Sequence, residues 1–193
     1  MLLCYGRYSN LELLEHYGFV LEDNPHDFAS IPHQYFPKSV QHQLDSLGCH
    51  AILHANGNPS FEFLRALRFA SLTPLERKTL SYFVLEDRSV NSQSETWVLK
   101  TLQRSCEEYL DSFPTTLQQD MEILALQAPQ GDEHCVSVAI AWRVQHKRIV
   151  WHTSKACAAR IGADQSPGLS AGTLPPIDVR RPKLPMRRAE GRT

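Results

Sequence analysis

The sequence predicts a mainly α (α+β) fold in which a short β-containing opening is followed by a helical unit. Three observations lead there. Helix-capping signals recur along the chain, apolar residues sit at helical spacing through its middle, and only the first 60 or so residues show short extended runs punctuated by glycine. The 193 residues suffice for one ordinary domain, or a small piece of one plus a second. A chain of this size buries roughly 70% of its extended surface, enough for a real core.

Leu2 to Tyr5 reads as the end of an apolar strand stopped by Gly6. Ser9-Asn10-Leu11-Glu12 is a capping box, so a helix is expected from Asn10, ended by Gly18, with Leu11, Leu14 and Tyr17 on its buried face. Phe19–Leu21 and Phe28–Ile31 read as extended pieces around a polar loop. A helix follows from Ser39 to Leu47, closed by Gly48; His50–His54 alternates weakly, and Asn56-Gly57-Asn58-Pro59 is a turn.

After that turn the texture changes to long helical periods. Ser60–Leu72 is the first, and Thr73-Pro74-Leu75-Glu76 caps the next with proline in its first turn. A helix from about Ser94 to Ser112 ends before Pro114, Thr115-Thr116-Leu117-Gln118 starts another through Leu126, and His134–Ile161 is the last. The expected organisation is therefore 1–35 as the close of a first domain, 36–59 as a connection, 60–161 as a helical domain and 162–193 as a disordered basic tail rich in Pro, Gly, Ser and Arg.

Composition narrows the function classes. A formal charge of −1 exerts no general pull on nucleic acid or membrane, and no apolar run approaches the roughly 20 residues of a membrane span. Cys4, Cys49, Cys106, Cys135 and Cys157 are scattered without a Cys-x-x-Cys pair, which reads as reduced intracellular thiols. His50 and His54 lack a third ligand, so no metal is expected. Trp97, Trp142 and Trp151 read as helical packing, and Arg143, Lys147 and Arg148 as a solvated basic face.

The informative stretch is Cys4-Tyr5-Gly6-Arg7-Tyr8-Ser9-Asn10-Leu11-Glu12-Leu13-Leu14-Glu15-His16-Tyr17-Gly18-Phe19, followed by Asn24-Pro25-His26-Asp27. The order Tyr-Gly-x-x-Ser-Asn-x-Glu-Leu, Tyr-Gly-Phe and Asn-Pro-x-Asp resembles the end of the SET domain in protein-lysine methyltransferases of the Rubisco large-subunit methyltransferase type, the plant SET-domain group 40 branch in particular. Weaker likeness continues through Phe63-Leu64-Arg65-Ala66-Leu67-Arg68, Glu107-Glu108-Tyr109-Leu110 and the break and restart Phe113-Pro114-Thr115-Thr116-Leu117-Gln118-Gln119-Asp120, covering residues 1–160.

The resemblance implies roles residue by residue. Tyr5 matches the catalytic tyrosine and Tyr17 the second tyrosine of the lysine channel. Tyr17, Gly18 and Phe19 match the segment that closes over S-adenosyl-L-methionine, with the Phe19 ring on the adenine. Tyr8 stands where an actin-modifying relative has a substrate-holding arginine, so Tyr5, Tyr8 and Tyr17 are the expected substrate contacts. Upstream parts of that family, a Gly-x-Gly-like donor loop and an Asn-His motif, do not occur in these residues. The expectation is an incomplete S-adenosyl-L-methionine pocket and no activity of this chain alone, as the C-terminal portion of an enzyme, whether a truncated reading or a genuine fragment. The expected partner is a protein presenting a lysine, with neither membrane nor nucleic acid involved, in an intracellular setting that leaves nucleus, cytosol and chloroplast open. A different class also fits these residues: a non-catalytic helical protein-interaction module.

Overall fold

In a computed structural model, residues 6–85, 90–126 and 133–164 are described. Most of them are helical. The order is α1 (Asn10–Tyr17), β1 (Phe28–Ile31), a 3-10 turn (His33–Tyr35), α2 (Lys38–Leu47), β2 (Ala51–His54), α3 (Phe61–Ser71), α4 (Pro74–Leu85), α5 (Ser92–Asp111), α6 (Leu117–Leu126) and α7 (Glu133–Asp164). Leu2–Tyr5 and the tail after Asp164 lie outside the described residues.

Local signals act where the sequence places them. Ser9 and Glu12 form the reciprocal capping box of α1, and Gly18 closes the helix with φ 73°, a conformation only glycine adopts without strain. Thr73 and Glu76 cap α4 in the same reciprocal way. At α5 the cap is Asn91, whose side chain accepts from Ser94 N–H at 2.7 Å, so the helix starts at Ser92 rather than Ser94.

β1 and β2 pair antiparallel, Phe28 opposite His54 and Ile31 opposite Ala51. Ala29, Ile31, Ala51 and Leu53 point into the core while Phe28 and Ser30 face out, the period-2 alternation of a half-buried sheet. Phe19–Leu21 forms no strand; its backbone is bonded by a side chain, Asn10, instead of by a neighbouring strand.

One core joins these pieces. Ala29, Ile31, Phe36, Val40, Leu44, Ala51 and Leu53 pack with Phe63, Ala66, Leu67, Val98, Leu102, Cys106, Val150 and Cys157. The segment 36–59 therefore shares its apolar interior with the helices that follow. Phe63, Ala66, Leu67 and Ala70 recur at i, i+3, i+4 and i+7, which is why α3 turns one stripe inward.

Helix α7, about 48 Å long at 1.5 Å per residue, runs past most of the other elements. Its buried polar groups are matched one by one. Thr153 donates to Gly57 C=O at 2.7 Å, Ser154 to Glu107 at 3.1 Å, and His146 Nε2 lies 3.0 Å from Tyr109 Oη. Gly57 has φ 78°, and a Cβ there would meet Thr153 Oγ1 at 3.3 Å.

The solvated face expected of Arg143, Lys147 and Arg148 is not what forms. Lys147 is 1% exposed and donates to Asp120 Oδ2 at 2.7 Å, while Asp120 itself is fully buried. Arg143 reaches the same carboxylate through Nε at 2.9 Å and through a second nitrogen at 2.5 Å. Thr115 donates to it at 2.6 Å, and Lys147 also donates to Thr115 C=O. Burial alone would push the Asp120 carboxyl up; hydrogen bonds from Arg143, Lys147 and Thr115 outweigh it and hold the group down at about 2.

Removing Asp120 leaves a buried ammonium without its counter-charge. Asp120→Ala is expected to cost about 3–5 kcal/mol of unfolding free energy, and Asp120→Leu combined with Lys147→Met to recover most of that; urea melts of the three chains read this directly.

Stability also depends on pH in two steps. Burial, then the neighbouring Lys147 charge, lowers His146 to about 4 from 6.5. The unfolded chain thus binds that proton first, and stability falls as pH drops from 6.5 toward 4. Burial, then Arg148, shifts His152 the same way. The contribution of Asp120 is lost lower down, between 3.8 and 2. Melting temperature followed from pH 7 to about 1.5 should show both steps, and His146→Gln should flatten the upper one.

Candidate functional site

The segment from Gly6 to Phe28 is held by amide and carboxylate side chains. Asn10 sits at the first turn of α1, 1% exposed, and its side chain works like a piece of strand edge: Nδ2 donates to Leu21 C=O at 3.0 Å and Oδ1 accepts Leu21 N–H at 3.0 Å. Asp27 accepts the Asn10 backbone N–H at 2.9 Å and Asn10 Nδ2 at 2.7 Å. Asn24 donates to Tyr8 C=O at 2.8 Å and accepts His26 N–H at 3.0 Å.

These bonds give Ser-Asn-x-Glu and Asn-Pro-x-Asp a structural reason. Glu12 and Ser9 start the helix, Asn10 and Asp27 tie its start to the loop beyond, and Asn24 fixes the backbone at Tyr8. Burial pushes the Asp27 carboxyl up, against the donors from Asn10 and Phe28 that favour its charged form.

The lock also decides which face of α1 is buried. Leu11, Leu14 and Tyr17 were the expected face, yet Leu13 is the residue at 1% exposure while Leu11 and Tyr17 are 41% and 49% exposed. Asn10 and Leu13 lie one turn apart and go in together, so a polar side chain with tertiary partners outranks the apolar pattern.

Because Asn10 and Gly18 fix both ends of α1, the aromatic side chains around it are placed together. Tyr8 and Tyr17 have ring centroids 6.0 Å apart, inclined 57°, and Tyr17 and Phe19 lie 6.2 Å apart, inclined 39°. His16, absent from the expected site, lies 6.4 Å from Tyr8 and 6.3 Å from Tyr17. Its position one turn after Glu12 was the signal available. Tyr5 lies outside the described residues.

Phe19 is half-buried and Gly18 has nothing within 4 Å of where a Cβ would be, which leaves flat apolar ring surface beside an open backbone turn. Such a surface suits a planar heterocycle or a sulfonium better than a metal. No group of metal-binding side chains occurs among the described residues. No helix among them is long and apolar enough to cross a membrane.

Beyond Phe19, the chain meets the helical part of the molecule. Val20 and Glu22 face Met121, Leu124, Val144 and Arg148 across a cavity of about 240 Å3. Arg148 approaches the Glu22 carboxylate at 3.8 Å at its edge. The chain just after the aromatic run thereby faces α6 and α7 across this cavity, and α1 itself packs on α7.

Comparisons with known proteins bear on the family and on the fold. Residues 13–150 match the family described as Rubisco LSMT substrate-binding. The chain is 35% identical over 127 residues, 64% of its length, to Protein SET DOMAIN GROUP 40 of Arabidopsis thaliana, of which the match covers 25%. Its fold is similar to a crystal structure of the SET domain of LSMT bound to methyl-lysine and AdoHcy, with TM-score 0.59, 18% identity, and coverage of 83% of this chain and 40% of the other. A structure of Rubisco LSMT bound to AdoMet gives TM-score 0.57 at 18% identity, covering 81% and 40%. The chain thus spans a quarter of its curated relative and two fifths of those solved chains. It belongs to the Rubisco LSMT substrate-binding family.

Proposed function

We propose that this chain is the C-terminal part of an S-adenosyl-L-methionine-dependent protein-lysine N-methyltransferase, completing the lysine channel and holding the protein substrate. Residues 1–35 close the SET domain and 60–161 form the substrate-binding domain, with 36–59 packed between them. The observation that carries this is the row of Tyr8, Tyr17 and Phe19 rings, held by the Asn10–Asp27 lock on a helical scaffold of the substrate-binding family.

Chemistry makes these residue types sensible. S-adenosyl-L-methionine supplies a methyl group on a cationic sulfur, and Tyr17, Gly18 and Phe19 are the residues of this chain that hold it. An acceptor lysine must be neutral to attack. An aromatic channel that excludes water disfavours its ammonium form, and the hydroxyl of Tyr5 orients the amine without adding a competing charge. Most of the rate advantage of such a displacement comes from alignment. Methyl transfer then belongs to these residues joined to an upstream SET segment of the kind the relatives carry, and the 193 residues alone are inactive.

The test is radiolabelled methyl transfer from the donor to a proteome extract, using the protein in its full natural length. Tyr5→Phe is expected to lower the rate at least ~100-fold, the scale of a lost proton-handling group; equal rates would remove Tyr5 from the reaction. Asn10→Ala strands the Leu21 backbone groups and takes one donor from the Asp27 carboxylate, which keeps the backbone N–H of residue 10. It should cost about 1–3 kcal/mol in urea melts and loosen the Tyr17 and Phe19 resonances in NMR spectra, whereas an unchanged melt would deny Asn10 its positioning role.

A further inference from the structure

The cavity between α6 and α7 shares no residue with the aromatic run. Met121, Leu124 and Ala125 line it from α6, and Ala141, Val144 and Arg148 from α7, each set at helical spacing along one stripe. Ala125 and Ala141 reach one carbon beyond the backbone, which leaves room that longer side chains would fill. The two helices are kept from closing on it. Asp120, one residue before Met121, bonds Arg143 and Lys147, the chain neighbours of Val144 and Arg148, so moving α6 inward would disturb a buried ion cluster.

Its volume of about 240 Å3 exceeds the roughly 150 Å3 that holds a benzene ring and falls short of the roughly 300–1,000 Å3 of a drug-sized ligand site. Glu22 and Ala125 on its border are exposed, so the cavity opens to solvent. That shape takes one inserted aliphatic side chain whose backbone stays outside.

Charge at the mouth selects what accompanies that side chain. Arg148 is the one cation lining the cavity, and among the described residues its guanidinium makes no hydrogen bond; its ion pair with Glu22 stands at 3.8 Å, beyond hydrogen-bond reach. The Glu22 side chain is 62% exposed and returns to water at little cost. A planar guanidinium can bind an incoming carboxylate through two parallel N–H bonds, a stronger arrangement than the loose pair present.

We propose that this cavity is a docking pocket for a segment of the protein substrate away from the modified lysine, an aliphatic residue followed by an acidic one. The aliphatic side chain packs against Met121, Leu124 and Val144, and the carboxylate takes the Arg148 guanidinium in place of Glu22. That the partner is a substrate rests on the methyltransferase reading; the pocket and its chemistry do not.

The experiment is methyl NMR on the full-length protein, following the Met121, Leu124 and Val144 methyl groups during titration with acetyl-Leu-Glu-amide. Saturating shifts with a Kd on the order of 1 mM are expected, the affinity that one buried aliphatic side chain and one ion pair supply. Acetyl-Ala-Glu-amide and acetyl-Leu-Gln-amide should each bind about 10-fold more weakly. Arg148→Gln should remove the difference between the Glu and Gln peptides, and Ala125→Leu, which fills the mouth from an exposed position, should abolish the shifts with circular dichroism unchanged. No saturation at these methyl groups, or equal binding of the Glu and Gln peptides, overturns the pocket. Tighter binding of 4-methylpentanoate than of the dipeptide would make the occupant a free small acid, and shifts of the same methyl groups on diluting the protein alone would make it a second copy; both overturn the proposal. A protein that binds the dipeptide as expected but transfers no methyl group would sink the methyltransferase reading and leave the pocket standing. One whose Ala125→Leu variant methylates a proteome extract with unaltered rate and pattern would lose the docking role and keep that reading.

Discussion

Helix α7 is enclosed by β1, β2, α1, α5 and α6, and a helix enclosed on several sides has few places to send a polar side chain. Each of these buried polar groups on it is met from a neighbouring element: Lys147 by Asp120 of α6, His146 by Tyr109 and Ser154 by Glu107, both of α5, and Thr153 by the turn at Gly57. Left unmatched, a buried donor costs on the order of 1–3 kcal/mol and a buried charge more. The matches therefore fix the rotation of α7, and through it the placement of everything packed on it. The Asp120 carboxylate is the most constraining of them, since it serves Lys147, Arg143 and Thr115 at once.

The aromatic segment inherits its position from that arrangement. Leu13 seats α1 in the interior, Arg148 of α7 meets Glu22, and Val20 and Glu22 border the cavity against α6 and α7. Within the segment, Asn10, Asn24 and Asp27 use side chains where a sheet would use backbone, so a loop with no strand of its own is still held at several points. A rigid base under exposed rings is what a binding site requires, because rings that are already placed need not be ordered by the ligand.

Much of the fold was legible along the chain. Ser9 with Glu12, Thr73 with Glu76, and Gly18 and Gly48 mark helix ends through contacts spanning four residues or fewer, so they can be read without knowing the rest. The break at Pro114 and the restart at Leu117 belong to the same kind. Family resemblance supplied the motif Thr-Thr-x-x-x-Asp, but its reason became visible only in three dimensions: Thr115 and Asp120 are two members of the group around Lys147. Arg143 and Lys147 looked like ordinary surface charges for want of any local sign that a carboxylate 23 and 27 residues earlier would meet them.

The sequence by itself determined where most helices begin and end, where short extended pieces lie, and which short aromatic run deserved chemical scrutiny. All of these depend on neighbours a few residues apart, where backbone geometry alone sets what can touch. Tertiary structure alone decided that Leu13 rather than Leu11 is buried, that Lys147 is an interior group, and that His16 joins Tyr8 and Tyr17. Those outcomes follow from desolvation, which depends on what covers a side chain and not on what precedes it in the chain.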